Sequence, residues 1–274
     1  MGNRPLIVVK YGGNAMQSEQ LKQSVVQSIG TLLQHAYRLV LVHGGGPFIG
    51  KILEQVNINS EFIGGHRKTS PEALKYIEMA LKGEVNGSLV NLLNKAGHQA
   101  VGLSGKDGRM VIARKRFHVS HENGRELRHD LGQVGDVARI DTSLPILLLE
   151  NGFIPVITCI ASDEAGNDYN INADMFAGSL AGALKADHYL VLTDVDGLLK
   201  DINDPSSIIR KLPLEALDPL FGSVIKGGMI PKLESCRIAL MNGARSARII
   251  NGTKPESLLN AVQSKESTGT EICL

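Results

Sequence analysis

The chain has 274 residues, a formal net charge of +1, 43% hydrophobic residues and 4% aromatic residues. This length fits one large α/β domain or two lobes that share a sheet, and the balanced charge argues against binding of nucleic acid or of a membrane surface. No apolar run approaches the ~18 residues of a membrane-spanning helix, and residues 1–9 contain no signal-peptide pattern. The cysteines (Cys159, Cys236 and Cys273) show no C-x-x-C spacing. We therefore expect a cytoplasmic protein without a disulfide framework or a zinc site.

Short apolar runs rich in β-branched residues recur along the chain, at residues 6–10, 38–43, 155–160, 188–193 and 247–250. They are apolar at every position rather than at alternate ones, which is typical of strands buried on both faces of a parallel sheet. Helical patterns lie between them, at residues 18–36, from a capping box at residues 69–72 to about Lys82, and at residues 172–184. Alternating strands and helices predict an α/β fold with right-handed crossovers.

Residues 109–140 interrupt this alternation with many charges and with the turn residues Glu122-Asn123-Gly124. We predict an antiparallel hairpin insertion there. Its basic residues are accompanied by few aromatic ones, so the pattern indicates a solvated hairpin rather than a nucleic-acid site. These basic residues are Arg114, Lys115, Arg116, Arg125 and Arg128.

A glycine-rich turn, Gly44–Gly46, follows the second apolar run and precedes a predicted helix from Pro47. Glycines at the end of a strand and the start of a helix let backbone N–H groups face an anion, where the helix dipole also favours negative charge. Residues 45–51 match the first part of a P-loop, but Ile52 stands where that motif needs a hydroxyl for magnesium. The turn therefore predicts an anion site of another kind.

Two lysines stand beside glycine pairs near opposite ends of the chain. Lys10 ends the first apolar run and precedes Gly12-Gly13, and Lys232 follows Gly227-Gly228 and Pro231, a plausible first helical residue. A lysine in a buried strand needs a partner, and the helix dipole disfavours a cation in a first turn. A snorkelling surface lysine could explain either one alone, but one phosphate held from two sides explains both.

Three further motifs are ambiguous from the residues alone. The sequence Asn170-Ile171-Asn172-Ala173-Asp174 opens a predicted helix, where an aspartate is normally a cap but could also hold two lysines apart. Asp194 and Asp196 follow another strand, at the sheet edge where ligands bind in α/β proteins, or form an ordinary Asp-Gly turn. Arg67 could bind a carboxylate with both of its guanidinium nitrogens, or lie in a solvated loop.

Taken together, the motifs resemble the amino-acid kinase superfamily, and within it the branch that phosphorylates N-acetylglutamate in arginine biosynthesis. The resemblance covers nearly the whole chain in order, through the blocks VVKYGGNAM, LVHGGGP, VGLSGKDG, LGQVGDV, NGFIPVI, NINAD, LTDVDGLL and GGMIPK. It implies a three-layer α/β/α sandwich on a central, mainly parallel sheet. It also implies one continuous domain with two lobes, residues 1–165 for the acyl amino acid and for dimerisation and residues 166–274 for the nucleotide.

The resemblance also implies roles for individual residues. Lys10 and Lys232 would stabilise the transferring phosphoryl group of ATP, and Asp174 would orient them. The γ-carboxylate of N-acetyl-L-glutamate would be the acceptor, with Mg²⁺ bound mainly through the phosphates of ATP. Substrate binding would fall to Gly45, Gly46, Arg67, Asn170 and Asn172, and nucleotide binding to Gly12, Gly13, Asp194, Val195, Asp196, Gly197, Leu198, Leu199, Val224, Ile225 and Lys226.

Two departures from the family pattern border the predicted substrate pocket, because His66 stands where the family often has Leu and Ser70 where it often has Asp. They leave the acyl group open, with carrier-linked aminoadipate as the alternative substrate. A non-catalytic sensor of nucleotide and amino acid would be free to lose the lysines and Asp174, which this chain retains. With the first strand starting near Leu6, the resemblance implies a homodimer that is insensitive to arginine.

Overall fold

The computed structural model describes residues 4–12, 16, 18–122, 125–254, 256–263 and 268–274. The predictions for Gly13 and for the turn residues Asn123 and Gly124 lie outside the described residues. The strands are β1 (Leu6–Tyr11), β2 (Arg38–His43), β3 (Glu61–Ile63), β4 (His66–Lys68), β5 (Ala100–Ser104), β6 (Val111–Glu122), β7 (Arg125–Ile140), β8 (Ile154–Thr158), β9 (Ile160–Ser162), β10 (Asp168–Ile171), β11 (His188–Thr193), β12 (Lys211–Pro213), β13 (Ala247–Asn251) and β14 (Thr270–Cys273).

Each predicted helical pattern coincides with a helix, though not always in length, and the chain forms further helices that were not predicted. They are α1 (Glu19–Gln34), α2 (Gly46–Gln55), α3 (Pro71–Glu78), α4 (Gly87–Lys95), α5 (Ser143–Glu150), α6 (Ala173–Ala183), α7 (Met229–Met241) and α8 (Ser257–Gln263). A π-helical segment, Met79–Asn86, joins α3 to α4. No helix within the described residues is long and apolar enough to cross a membrane.

The central sheet has eight strands in the order β12-β14-β13-β11-β1-β2-β8-β5. Every neighbouring pair is parallel except β13 with β14. Strand β1 lies in the middle, between β2 from the first half of the chain and β11 from the second. Because the carboxyl ends of parallel strands meet at one edge, Lys10, the Gly44–Gly46 turn and the segment after Thr193 come to the same edge of the sheet.

Apolar side chains on the two faces of this sheet form two separate cores, which is why the strands are apolar at every position. In β1, Leu6 and Val8 belong to the core beneath α2, α3, α6 and α7. Ile7, Val9 and Tyr11 belong to the core beneath α1, α4 and α8. Helices on both faces make the three-layer α/β/α sandwich, so the predicted fold class is confirmed.

The predicted hairpin insertion is confirmed as β6 and β7, which pair antiparallel from Val111↔Ile140 to Glu122↔Arg125. With β9 and β10 they close a small barrel in the order β10-β7-β6-β9. The prediction of a single strand at residues 155–160 is therefore wrong in one respect. Its first part, to Thr158, belongs to the central sheet, and Ile160 starts a strand of the barrel. Both parts are equally apolar, so their composition does not mark the break.

The helix predicted to end near Lys82 extends further and begins one residue later than the predicted capping box. Ser70 is the N-cap, since its hydroxyl accepts the N–H of Ala73, and Pro71 is the first helical residue. Lys82 lies inside the π-helical segment, and helical backbone continues to Lys95. This eight-residue segment is a wider stretch within an otherwise continuous helix, and the sequence analysis did not predict it.

Candidate active site

Lys10, Asp174 and Lys232 meet at the carboxyl edge of the central sheet. Lys10 lies near the end of β1, Asp174 in the first turn of α6 and Lys232 in the first turn of α7. The Lys10 Nζ atom lies 3.0 Å from Asp174 Oδ1, and the Lys232 Nζ atom lies 3.8 Å from Asp174 Oδ2. Residues far apart in sequence thus form one charge cluster, as predicted, although their catalytic role stays a prediction.

Asp174 holds the two lysines, and a neighbouring residue caps the helix. Asn172 is the N-cap of α6, and its Oδ1 accepts the N–H groups of Asp174 and Met175. The Asp174 carboxylate is thereby left for the ammonium groups. Its Oδ1 is buried and makes no hydrogen bond, so the contact with Lys10 is an ion pair rather than a directed hydrogen bond.

Lys232 lies farther from the Asp174 carboxylate than Lys10 does. Burial lowers its pKa, the Asp174 carboxylate partly counteracts this, and the Lys10 ammonium lowers it further. Pro231 is the third residue of α7 and not the first as predicted, which still leaves Lys232 in the first turn. The helix dipole disfavours a cation there, so an anionic ligand would relieve a cost that the folded chain carries.

The glycine turn faces a cavity of about 240 Å³, whose wall also includes Lys10, Gly12, Arg67 and Asp174. A Cβ atom on Gly12 would lie 3.0 Å from Lys10 Nζ, and one on Gly45 would lie 2.6 Å from a methyl group of Leu81. These positions therefore admit only glycine without displacing a neighbour. Within the described residues, the backbone N–H of Gly45 donates to no other backbone group, as expected at a helix N-terminus.

Arg67 and Asn170 also line this cavity. Arg67, on β4, is half-buried and stacks on the ring of Phe62, with its Cζ 4.6 Å from the ring centroid. Its guanidinium also donates to the hydroxyl of Ser60. Asn170, on β10, pairs in register with Val134, and both line the cavity. Asn172 lines it as well, but its side chain caps α6, so only its remaining surface faces a ligand.

His66 also lines the cavity, beside Arg67. Burial lowers its pKa, and the guanidinium of Arg116 on the β6–β7 hairpin contributes to the same shift. The imidazole is therefore neutral near pH 7. His66 therefore places a neutral polar ring in the cavity wall, at a position where the resembled family often has Leu.

The two segments predicted to bind the nucleotide adjoin β11 and α7 in sequence. Residues 194–199 follow β11, and residues 224–226 precede α7. The carboxylate of Asp194 is close enough to Lys232 to raise its pKa slightly. Leu198 and Ile225 are buried in the core, and Asp196 accepts hydrogen bonds from Asn251 and Lys254. Their predicted contribution would therefore come mainly from backbone groups, whereas Val195 is exposed.

The cavity wall contains residues that the sequence did not point to. They are Ile49, Phe62, Leu81, Val134 and Cys159. Burial raises the pKa of the Cys159 thiol to about 12, so it is a small apolar wall residue and not a nucleophile. Apolar wall residues look like core residues in sequence, and nothing in their spacing distinguishes them.

The charge cluster does not supply the donors that a resident metal ion needs. Among the described residues, no group of three His, Cys, Asp or Glu side chains converges. The carboxylate of Asp174 is the acidic group on this wall, and its two oxygens face the two lysines. This donor set does not fit a resident divalent cation, which prefers several carboxylate oxygens.

The fold and this cluster are typical of α/β proteins that bind phosphate groups. The profile of the amino acid kinase family matches residues 5–251, and the chain belongs to that family. It is 45% identical to the acetylglutamate kinase of Methanocaldococcus jannaschii, over 97% of this chain and 90% of that protein. It is 44% identical to the acetylglutamate kinase of Heliobacterium modesticaldum, over 97% of this chain and 91% of that protein. The crystal structure of smu.665 from Streptococcus mutans UA159 is similar with a TM-score of 0.77 and 28% identity, over 98% of each chain.

Proposed function

We propose that this protein is an acetylglutamate kinase, which transfers the γ-phosphoryl group of ATP to the γ-carboxylate of N-acetyl-L-glutamate in arginine biosynthesis. Curated relatives of that name cover nearly the whole chain. The structural observation that carries the proposal is the pair of lysine ammonium groups held by one buried carboxylate beside a glycine turn.

The reaction needs little covalent chemistry from the protein. A carboxylate oxygen of the acceptor attacks the γ-phosphorus, the bond from that phosphorus to the β,γ-bridging oxygen breaks, and ADP leaves with the bond electrons. The product is an acyl phosphate. Since the acceptor is already ionised near pH 7, no general base has to remove a proton. Catalysis then consists of positioning and of charge stabilisation in the transition state.

The charge cluster and the glycine turn supply that stabilisation. The Lys10 and Lys232 ammonium groups approach the phosphoryl oxygens from two sides, and Asp174 fixes the distance between them. The N–H groups of Gly45 and Gly46 donate to the same oxygens, and Gly12 admits the lysine to this position. Arg67 and Asn170, which line the same cavity, bind the acceptor.

The division of the chain into two lobes is part of this proposal. Residues 1–165 provide most of the contacts to the acyl amino acid, with Asn170 added from the second lobe. Residues 166–274 hold ATP, which arrives as its Mg²⁺ complex through its phosphates. The predicted boundary falls in the turn between β9 and β10. The homodimer is proposed on the family resemblance alone, and size-exclusion chromatography with light scattering tests it.

An assay of ADP release, coupled to NADH oxidation, tests the activity on purified protein. The acceptor panel contains N-acetyl-L-glutamate, free glutamate, free and acetylated aspartate, and aminoadipate. We expect turnover with N-acetyl-L-glutamate, and hydroxylamine should trap the product as a hydroxamate, which identifies an acyl phosphate. Turnover with aminoadipate derivatives but not with N-acetyl-L-glutamate would replace the substrate. Binding of both ligands without ADP release would indicate the sensor instead.

A further inference from the structure

Two polar side chains lie buried directly beneath the glycine turn, where the reaction does not use them. His43 ends β2, and Asn86 ends the π-helical segment. They are 0% and 2% exposed, respectively. The His43 ring hydrogen-bonds to the carbonyl oxygen of Gly44 through Nδ1, at 2.9 Å, and to the Asn86 amide through Nε2, also at 2.9 Å.

The partners of Asn86 determine which nitrogen of His43 carries the proton. The Nδ2 atom of Asn86 also lies 2.9 Å from the carbonyl oxygen of Val156. A carbonyl only accepts, so this atom is the amide nitrogen, and it donates its second hydrogen to His43 Nε2. Nε2 therefore accepts, and Nδ1 carries the proton and donates it to Gly44. Burial lowers the pKa of His43 to about 4, so the neutral ring persists near pH 7.

This hydrogen bond fixes the direction of the neighbouring N–H group. The carbonyl of Gly44 and the N–H of Gly45 belong to one planar trans peptide, in which they point in opposite directions. Because the carbonyl of Gly44 is held towards His43, the N–H of Gly45 points away from His43. Gly45 lines the cavity. Three consecutive glycines have wide conformational freedom, so this peptide needs such a restraint to keep one orientation.

The position of Asn86 is itself built into the packing. A Cβ atom at position 102, on β5, would overlap Asn86 Oδ1, so only glycine leaves room for the amide there. The π-helical segment brings Asn86 over the sheet, where it reaches two strands at once, β2 through His43 and β8 through Val156. Both hydrogens of the amide are thereby used inside the core.

We propose that His43 and Asn86 are positioning residues, which hold the Gly45 N–H towards the phosphoryl group that the protein transfers. The proposal rests on the proposed function for the identity of the transferred group. It deepens that function by naming the hydrogen bonds that keep the glycine turn ready before any ligand binds. Preorganised donors of this kind cost no reorganisation during the reaction.

Three substitutions of His43 separate its two hydrogen bonds. His43→Asn places an amide nitrogen where Nδ1 stands, so it can still donate to Gly44. His43→Gln reaches the position of Nε2, so it can still accept from Asn86 but loses the donor to Gly44. His43→Leu removes both. We expect His43→Asn to keep kcat within about threefold of wild type, and the other two to lose about 10- to 100-fold with little change in either KM.

Thermal unfolding and NMR accompany the kinetics. Each variant loses a buried hydrogen bond, so each should have a lower melting temperature than wild type. A purely structural role predicts that kcat follows the melting temperature across the three variants. Equal losses of kcat in His43→Asn and His43→Gln, or losses that follow stability, would overturn the proposal.

The Gly45 amide gives a readout that does not depend on turnover. In protein labelled with ¹⁵N-glycine, its resonance should be sharp in wild type and in His43→Asn, and shifted or broadened in His43→Gln. If wild type shows no kinase activity but this pattern appears, the restraint stands and the proposed function fails. If wild type is active and the Gly45 resonance is unchanged in His43→Gln, the restraint fails and the function stands.

Discussion

Replacing Asp174 by asparagine tests the charge cluster most directly, because the change removes the negative charge and keeps the size of the side chain. The carboxylate is buried between Lys10 at 3.0 Å and Lys232 at 3.8 Å. At these distances the gross Coulomb attraction is about 4–6 kcal/mol for each pair at an effective dielectric constant of about 20. Desolvation offsets much of it, but the variant keeps two neighbouring cations without the carboxylate that lies between them.

We expect Asp174→Asn to lower kcat by about 10²- to 10³-fold, because the ammonium groups lose the partner that holds them in position. The free energy of unfolding should fall by about 3–5 kcal/mol, as for other buried ion pairs that lose one partner. Asp174 also raises the pKa of Lys232. Without it, this pKa falls further, so the alkaline loss of activity should begin at lower pH than in wild type.

The assays are coupled ADP release from about pH 6 to about pH 10 and urea unfolding at neutral pH. Asp218→Asn is the matched control, since this exposed carboxylate pairs with Arg237 on α7, the helix that carries Lys232. A Lys10→Met and Asp174→Asn double-mutant cycle then measures the coupling. If Asp174→Asn keeps kcat within about threefold of wild type, the carboxylate does not position the lysines and the reasoning is wrong.

Other substitutions examine the remaining parts of the site. Lys10→Met and Lys232→Met should each lower kcat by about 10²- to 10³-fold in the ADP-release assay, whereas equal activity would exclude that lysine from the reaction. Burial lowers the pKa of Lys232, so its charge is lost at a lower pH than for an exposed lysine, and kcat/KM should fall on the alkaline side. Lys232→Arg, which stays protonated, should remove that fall. Arg67→Lys should raise the KM for the acyl amino acid by about tenfold with a smaller effect on kcat, because lysine cannot form the two-pronged contact. Tyr189→Phe removes the hydroxyl that hydrogen-bonds to Ser235 on α7, and we expect a loss of about 1 kcal/mol in unfolding free energy with unchanged KM.

Five neighbouring strands of the central sheet could be predicted, because strands buried on both faces are apolar at every position. Strands β5, β12 and β14, at the ends of the sheet, were not predicted. The runs at 6–10, 38–43, 188–193 and 247–250 all became strands of that sheet. The break after Thr158 could not be predicted, because the chain leaves one sheet for another without any change in hydrophobicity. The π-helical segment was missed for a related reason, since a wider turn needs no special residue.

The charge cluster could be predicted in part, because each of its lysines is unusual where it stands. A buried strand end and a first helical turn both disfavour a cation, so Lys10 and Lys232 point to a common partner. The cap at α6 was harder, since both Asn172 and Asp174 are good capping residues. Only the structure shows that Asn172 caps the helix. Their predicted roles in binding and catalysis await the experiments above.

Burial explains both the strength of this site and its cost. Ammonium groups act more strongly on a phosphoryl group where water is excluded, but the same exclusion lowers the pKa of Lys232 and leaves Asp174 Oδ1 without a hydrogen bond. Two cations share Asp174, and Asp194 adds a further attraction to Lys232. An anion between the lysines would interact with both of them, and Gly45 lines the same cavity. Such a site stabilises added negative charge, which is the property that the transition state of phosphoryl transfer requires.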